Sequence, residues 1–321
     1  MIRVLKRGDV TQPAQEVHPG TLPFIPGFDP VFKLKSSHPE GARRKALANW
    51  IVDERNPLTW RSIVNRIWQY HFGKGLVDTP NDFGKMGKKP THPQLLDWLA
   101  VEFRDSGQSL KRLHRLMVTS ATYRQKSETN ASNELRDSGN RFLWRMNRRR
   151  LEAEPIRDTV LQLTGKLRRN MYGPAFKDFV IEKPEHSPHY QYHLYNPDNV
   201  DTHRRSVYRF LVRSQQNPFM QTLDCADPSQ NIAKRDETVT PLQALAMLNN
   251  PFMTRMSEHF AERLKRTHIT MAQQIGEGFF LTTGRHPNSD EMNTLLAYAE
   301  HRGLVSICRV LFNLNEFIFV D

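Results

Sequence analysis

A chain of 321 residues with 38% apolar and 10% aromatic side chains can bury one large or two ordinary cores, which excludes an intrinsically disordered protein. Its formal net charge of +12, from 46 Lys and Arg against 34 Asp and Glu, admits acidic partners. With only Cys225 and Cys308 present, a disulfide framework is excluded.

Residues 1–41 hold six prolines and read as an extended, linker-like tail. Met1 to Val10 carries charges with no apolar run behind it, so no secretory signal opens the chain, and no membrane span is expected anywhere in it. From Ala42 the period becomes helical. Asn56-Pro57 breaks the chain before a strongly amphipathic helix carrying Trp60, Ile63, Val64, Ile67 and Trp68, with Gly73 as its stop. Thr91-His92-Pro93-Gln94 reads as a capping box opening a helix with Leu95, Leu96, Leu99 and Phe103 inward. Ser109 caps a second helix, and the two should pair as an αα-hairpin.

Residues 166–236 differ, being rich in Tyr, His, Pro and Asn. Val207 to Arg213 alternates with period two, and Phe176 to Ile181 is its best partner in a small β-ribbon. Helices resume at Thr240-Pro241-Leu242-Gln243 and again at Asn250-Pro251, with further helices near 269–281, 288–300 and 303–314, so that the chain ends on helix. The expected architecture is therefore mainly α: a multi-helix domain built of αα-hairpins with a β-ribbon insert. Its parts are a tail (1–41), a helical part (42–165), a loop and ribbon insert (166–236) and a C-terminal helical part (237–321).

Asn56-Pro57-Leu58-Thr59, Val64-Asn65-Arg66, His71-Phe72-Gly73-Lys74-Gly75-Leu76-Val77 and Thr79-Pro80-Asn81-Asp82-Phe83-Gly84 resemble blocks of a planctomycete family, the domain of unknown function numbered 1553. So do Leu95-Leu96-Asp97-Trp98-Leu99-Ala100, Arg148-Arg149-Arg150-Leu151-Glu152-Ala153-Glu154, His203-Arg204-Arg205-Ser206-Val207-Tyr208 and Thr240-Pro241-Leu242-Gln243. The resemblance covers 42–321, which makes that stretch one family domain. It carries no established activity or catalytic residue with it. It implies a longer exported protein of the periplasm or cell envelope, with a cytochrome c-type domain and a further family domain upstream as partners, so that this chain is expected to be a fragment, the product of a split gene or the product of a late start site. Gln108 and Leu314 depart from the family pattern.

Chemistry concentrates, by residue type, in the middle segment. His186, His189, His193 and His203 are candidate metal ligands, although H-x-x-H-x-x-x-H matches no structural-zinc spacing and loop histidines are the simpler reading. Asp224 or Asp227 are candidate general bases, Cys225 a candidate nucleophile if a histidine such as His203 lies beside it, and Arg204 and Arg205 candidate anion-binding groups. The bland alternative is an ion-pair network of those arginines and carboxylates. No haem-attachment C-x-x-C-H, zinc C-x-x-C pair, phosphate-cradling G-x-x-x-x-G-K-[ST] or nucleophile-elbow G-x-S-x-G occurs, so no cofactor is expected beyond a metal ion at the histidines. Three readings follow: a non-catalytic accessory or interaction domain; a metal-dependent or hydrolase-like enzyme acting on envelope polysaccharide through 186–236; and a basic nucleic-acid-binding protein. The acids interspersed at Glu152, Glu154 and Asp158 weigh against the last.

Overall fold

The computed structural model describes residues 2–23, 25, 27–35, 37–182 and 188–320 and is mainly helical. The chain forms two compact units, Met1–Met146 and Asn147–Asp321, so it divides ahead of the helix at 153–163. That helix shares its apolar face with the C-terminal helices rather than with those preceding it. Among the described residues no helix is long and apolar enough to cross a membrane.

In the first unit β1 (Ile2–Leu5) pairs antiparallel with β2 (Pro13–Val17), and α1 (Glu40–Ile51) follows. The core is laid down by α2 (Pro57–Phe72), α3 (Pro93–Asp105) and α4 (Leu110–Val118), with α5 (Ala131–Arg136) outside it. Asn56 caps α2 through its side chain, Pro57 occupies the first turn, and Gly73 ends the helix at φ 78°, where a Cβ would be strained. Trp60, Val64, Trp68 and Phe72 meet Leu96, Leu99 and Phe103 of α3 and Leu113 and Met117 of α4. Both α3 and α4 pack on α2. The expected capping box at 91–94 does not form: His92 is the N-cap without a side-chain bond, because the amide and hydroxyl of Thr91 both donate to the Leu76 carbonyl.

The second unit comprises β3 (Arg149–Arg150), α6 (Ala153–Leu163), β4 (Val180–Glu182), β5 (His189–Gln191), α7 (Pro218–Thr222), α8 (Pro241–Asn249), α9 (Pro251–Thr267), α10 (Met271–Thr283), α11 (Ser289–Leu311), α12 (Asn315–Ile318) and β6 (Phe319–Val320). Ile156 and Val160 of α6 pack with Met256 and Phe260 of α9, Ile275 of α10 and Ile307 of α11, and Phe260 stacks on Phe312 with centroids 5.3 Å apart. The helices expected near 288–300 and 303–314 both form within the range of α11 and meet at a kink where Gly303 takes the non-helical angles φ 74° and ψ 169°. Two expectations are corrected here. The chain does not end on helix, since β6 pairs antiparallel with β3. The run from Val207 to Arg213 is no strand. Residues Ser206–Tyr208 form a 3-10 turn, and β4 pairs instead with β5, Ile181 facing Tyr190. The reason is long-range: the Asp158 carboxylate accepts from both the amide and the hydroxyl of Ser206, which bends the chain where alternation alone would extend it. The two runs expected to pair share one isolated parallel bridge, where Phe176 bonds through its backbone to Tyr208 and Phe210.

Within the first unit the loop after α2 is closed by one buried side chain. Asn65 donates to the Val77 carbonyl at 2.9 Å and accepts from the Val77 amide at 2.8 Å. A Cβ on Gly75 would stand 2.5 Å from that carbonyl oxygen, so the loop tolerates only glycine there. Asn65→Ala leaves both Val77 groups buried and unpaired, and a loss of about 2–3 kcal/mol is expected in urea unfolding; a change under about 0.5 kcal/mol would contradict this account.

Candidate functional site

The residues singled out by type fall into separate environments. Asp224, held at φ 62°, accepts from Arg150 at 3.1 Å, from the Thr238 amide at 2.8 Å and from Gln243 at 3.0 Å, so its carboxylate ties the start of the unit to the start of α8. Asp227 closes a local turn on Ser229 and Gln230. The Cys225 thiol faces the Glu154 carboxylate at 3.6 Å rather than a histidine. Burial, with that carboxylate beside it, pushes the thiol up to about 11, the opposite of what a nucleophile needs. Glu154 is in turn bound by Arg235, at 2.6 and 3.0 Å. Burial acts to raise the Glu154 pKa, but the Arg235 guanidinium outweighs it and leaves the carboxyl below its ordinary range.

His203 is buried, and its Nε2 lies 2.7 Å from the Pro197 carbonyl, which can only accept, so Nε2 carries the proton. Burial lowers its pKa and keeps it neutral. Arg204 donates to the carbonyls of Pro174 and Tyr172 and lies over the Tyr208 ring, while Arg205 is exposed. His189 sits on β5 opposite Glu182, His193 lines a cleft, and His186 lies outside the described residues. Among the described residues no three His, Cys, Asp or Glu side chains are grouped as metal ligands.

That cleft, about 250 Å³, is the constellation the sequence reading did not assemble. Its floor is Arg157, projected by α6 because Ile156, Val160 and Leu161 commit the neighbouring positions to the core. The guanidinium is only 4% exposed and lies between the rings of Phe176 and Phe252, 5.0 and 5.6 Å from their centroids. It donates to the backbone carbonyls of Thr202 and Arg204, the latter at 3.0 Å. Burial lowers its pKa, as desolvation of a cation must.

Beside it stands Asp178, 4% exposed, whose Oδ2 accepts from Arg209 Nε at 2.9 Å and from Asn217 Nδ2 at 3.0 Å. Its Oδ1 is buried and has no hydrogen-bond partner. Tyr192 and Tyr195 form the wall. Tyr192 donates to the Gln215 carbonyl at 2.9 Å, and burial together with the Asp178 charge pushes its phenol up to about 12. Tyr195 shares a hydrogen bond with Thr202 and is also raised by burial, so both phenols stay protonated near neutrality.

The rim is built twice from one tetrapeptide. Asn217-Pro218-Phe219-Met220 opens α7 and Asn250-Pro251-Phe252-Met253 opens α9; in each the asparagine caps the helix and proline begins it. This repeat was the available signal in the sequence for the cleft.

Two outcomes are expected. Asp224→Ala strands the nearly buried Arg150 guanidinium and costs about 3 kcal/mol in denaturant unfolding, whereas Asp227→Ala, which loses only a local turn, shifts the midpoint far less; equal losses would contradict the assignment. Alkylation of Cys225 by iodoacetamide should be slow at neutral pH and still rising above pH 9, and a rate that levels off near pH 8.5 would show an ordinary thiol.

A family model described as PSD1, protein of unknown function (DUF1553), matches residues 43–299. No curated protein and no solved structure matches the chain. The chain belongs to the DUF1553 family, as its ordered sequence blocks imply.

Proposed function

We propose that the chain is a non-catalytic accessory domain of a longer, exported multidomain protein, and that it works by holding a small ligand in the cleft of the second unit. One observation carries the reading: Asp178 keeps a buried carboxylate oxygen without a partner at the cleft that it lines. Such a group costs folding free energy of about 1–3 kcal/mol or more, and binding sites are where that cost is offset. The loops and the β4–β5 ribbon between α6 and α7 supply Asp178 and both tyrosines, so this reading takes them as the insert that builds the site.

Recognition is favoured over hydrolysis because glycoside hydrolysis needs two carboxyl groups flanking the bond, and Asp178 is the one carboxylate among the described residues lining the cleft. Nucleic-acid binding is disfavoured by pairing, since Arg150, Arg168 and Arg209 each face a carboxylate instead of forming a free basic face.

The test is a thermal-shift screen of the purified chain against neutral, cationic and anionic small molecules. Ligands that raise Tm are expected, because one present at 100 times its Kd stabilises by about 2.7 kcal/mol. His193→Trp, which places an indole at the mouth from an exposed position, should abolish the rise and leave the unliganded Tm unchanged. A screen with no stabilising member, or stabilisation that survives in H193W, would overturn the reading.

A further inference from the structure

We infer that the ligand of this cleft is an uncharged, hydroxyl-rich ring of the size of one sugar residue; the inference rests on the cleft being the working site. Its first support is size. At about 250 Å³ the cleft lies just below the roughly 300–1,000 Å³ of pockets that take drug-sized ligands, which fits one ring and no extended chain.

Charge narrows the chemistry. An anion would meet the Asp178 carboxylate, whose Oδ1 offers only lone pairs. A cation would meet the Arg157 guanidinium on the floor, while Asp178 already has Arg209 2.9 Å away. Arg209 already neutralises Asp178, so a ligand ammonium would add a second positive charge where a first is desolvated. A neutral hydroxyl avoids both penalties. It donates its proton to Oδ1, and its oxygen can accept from a lining side-chain amide, Asn217 or Asn250, each of which carries two N–H groups.

The surfaces agree. Pro218, Phe219, Pro251 and Phe252 give the rim apolar faces, and the C–H face of a pyranose lies on such surfaces while its equatorial hydroxyls reach planar polar groups. Asn217 and Asp178 are such groups, already fixed against each other at 3.0 Å, so the acceptor is oriented before the ligand arrives. Asp178 lines the cleft with Oδ1 buried, so an entering hydroxyl reaches that oxygen by displacing part of the wall. The competing occupant is a buried water donating to Oδ1.

The experiment uses matched rings that differ only in charge. Glucose, galactose and mannose are titrated into the purified chain beside their amino sugars and uronic acids, and binding is followed by isothermal calorimetry and by two-dimensional NMR. At least one neutral sugar should bind, at least about tenfold more tightly than its amine and acid counterparts. Asp178→Asn should weaken it at least tenfold with helical circular dichroism retained; if D178N fails to fold, H193W serves as the blocking control. An amine or acid that binds as well as its neutral counterpart overturns the sugar inference and leaves the cleft reading standing. Failure of all three neutral sugars, with ligands from other classes still blocked by H193W, likewise overturns the inference alone and gives Oδ1 to a water or a different donor. Failure of every class, in wild type and H193W alike, removes both.

Discussion

The second unit is organised around one desolvated cation. Moving a guanidinium out of water costs several kcal/mol after relaxation, so a buried arginine persists only where acceptors and polarisable groups surround it. At Arg157 those groups are the carbonyls of Thr202 and Arg204, the Ser206 hydroxyl and the rings of Phe176 and Phe252. Four of these five come from the segments between α6 and α7, and Phe252 from the first turn of α9. The need to satisfy one α6 side chain therefore draws loops of no regular structure onto a helical core. Once Ser206 is fixed by Asp158 on the same helix, Arg209 follows at a set distance and reaches Asp178. The cleft is a consequence of that sequence of attachments.

This order explains what could be read from the sequence. The apolar stripes of α2, α3, α4 and α9, the caps at Asn56, Ser109, Thr240 and Asn250, and the stop at Gly73 depend on neighbours three or four residues away, and a linear pattern records them. The strand expected at 207–213 was overruled by a contact 48 residues distant, between Ser206 and Asp158. The capping box at 91–94 lost to the Leu76 carbonyl for the same kind of reason. At Thr240 and Thr270 capping boxes do form, each hydroxyl accepting from the backbone amide of the glutamine three residues on. The division into units was hidden as well, since the helix at 153–163 has the same amphipathic pattern whichever core receives it.

Searching by reactive residue type led mostly to residues that have other partners in the structure. Histidines, a cysteine and Asp224 attract notice because they can do chemistry. Of those, His193 alone lines the cleft, among tyrosines, two asparagines, prolines and phenylalanines, which are common in any loop. Arg157 carried no signal by itself, being one arginine among many. The duplicated Asn-Pro-Phe-Met was visible and is informative in physical terms: each copy fixes a helix start and sets a phenylalanine at the second helical position, beside the cleft. The two rings stand 6.2 Å apart.

Asp178 and Asp224 differ more sharply in hydrogen-bond satisfaction than in burial or position. Both are held away from water and both accept from a nearly buried arginine. Asp224 goes on to take an amide, a hydroxyl and a carboxamide, so that its two oxygens are fully engaged, and its service is to join three segments of one unit. Asp178 takes two donors on Oδ2 and leaves Oδ1 with none. A fold selected for stability alone would place a donor at Oδ1, for which an additional serine, threonine or asparagine among the loop residues nearby would suffice. The Asp178 acceptor is paired on one oxygen and buried without a donor on the other, next to an apolar rim, and on the proposed recognition reading that unmatched half of a hydrogen bond is what a ligand completes.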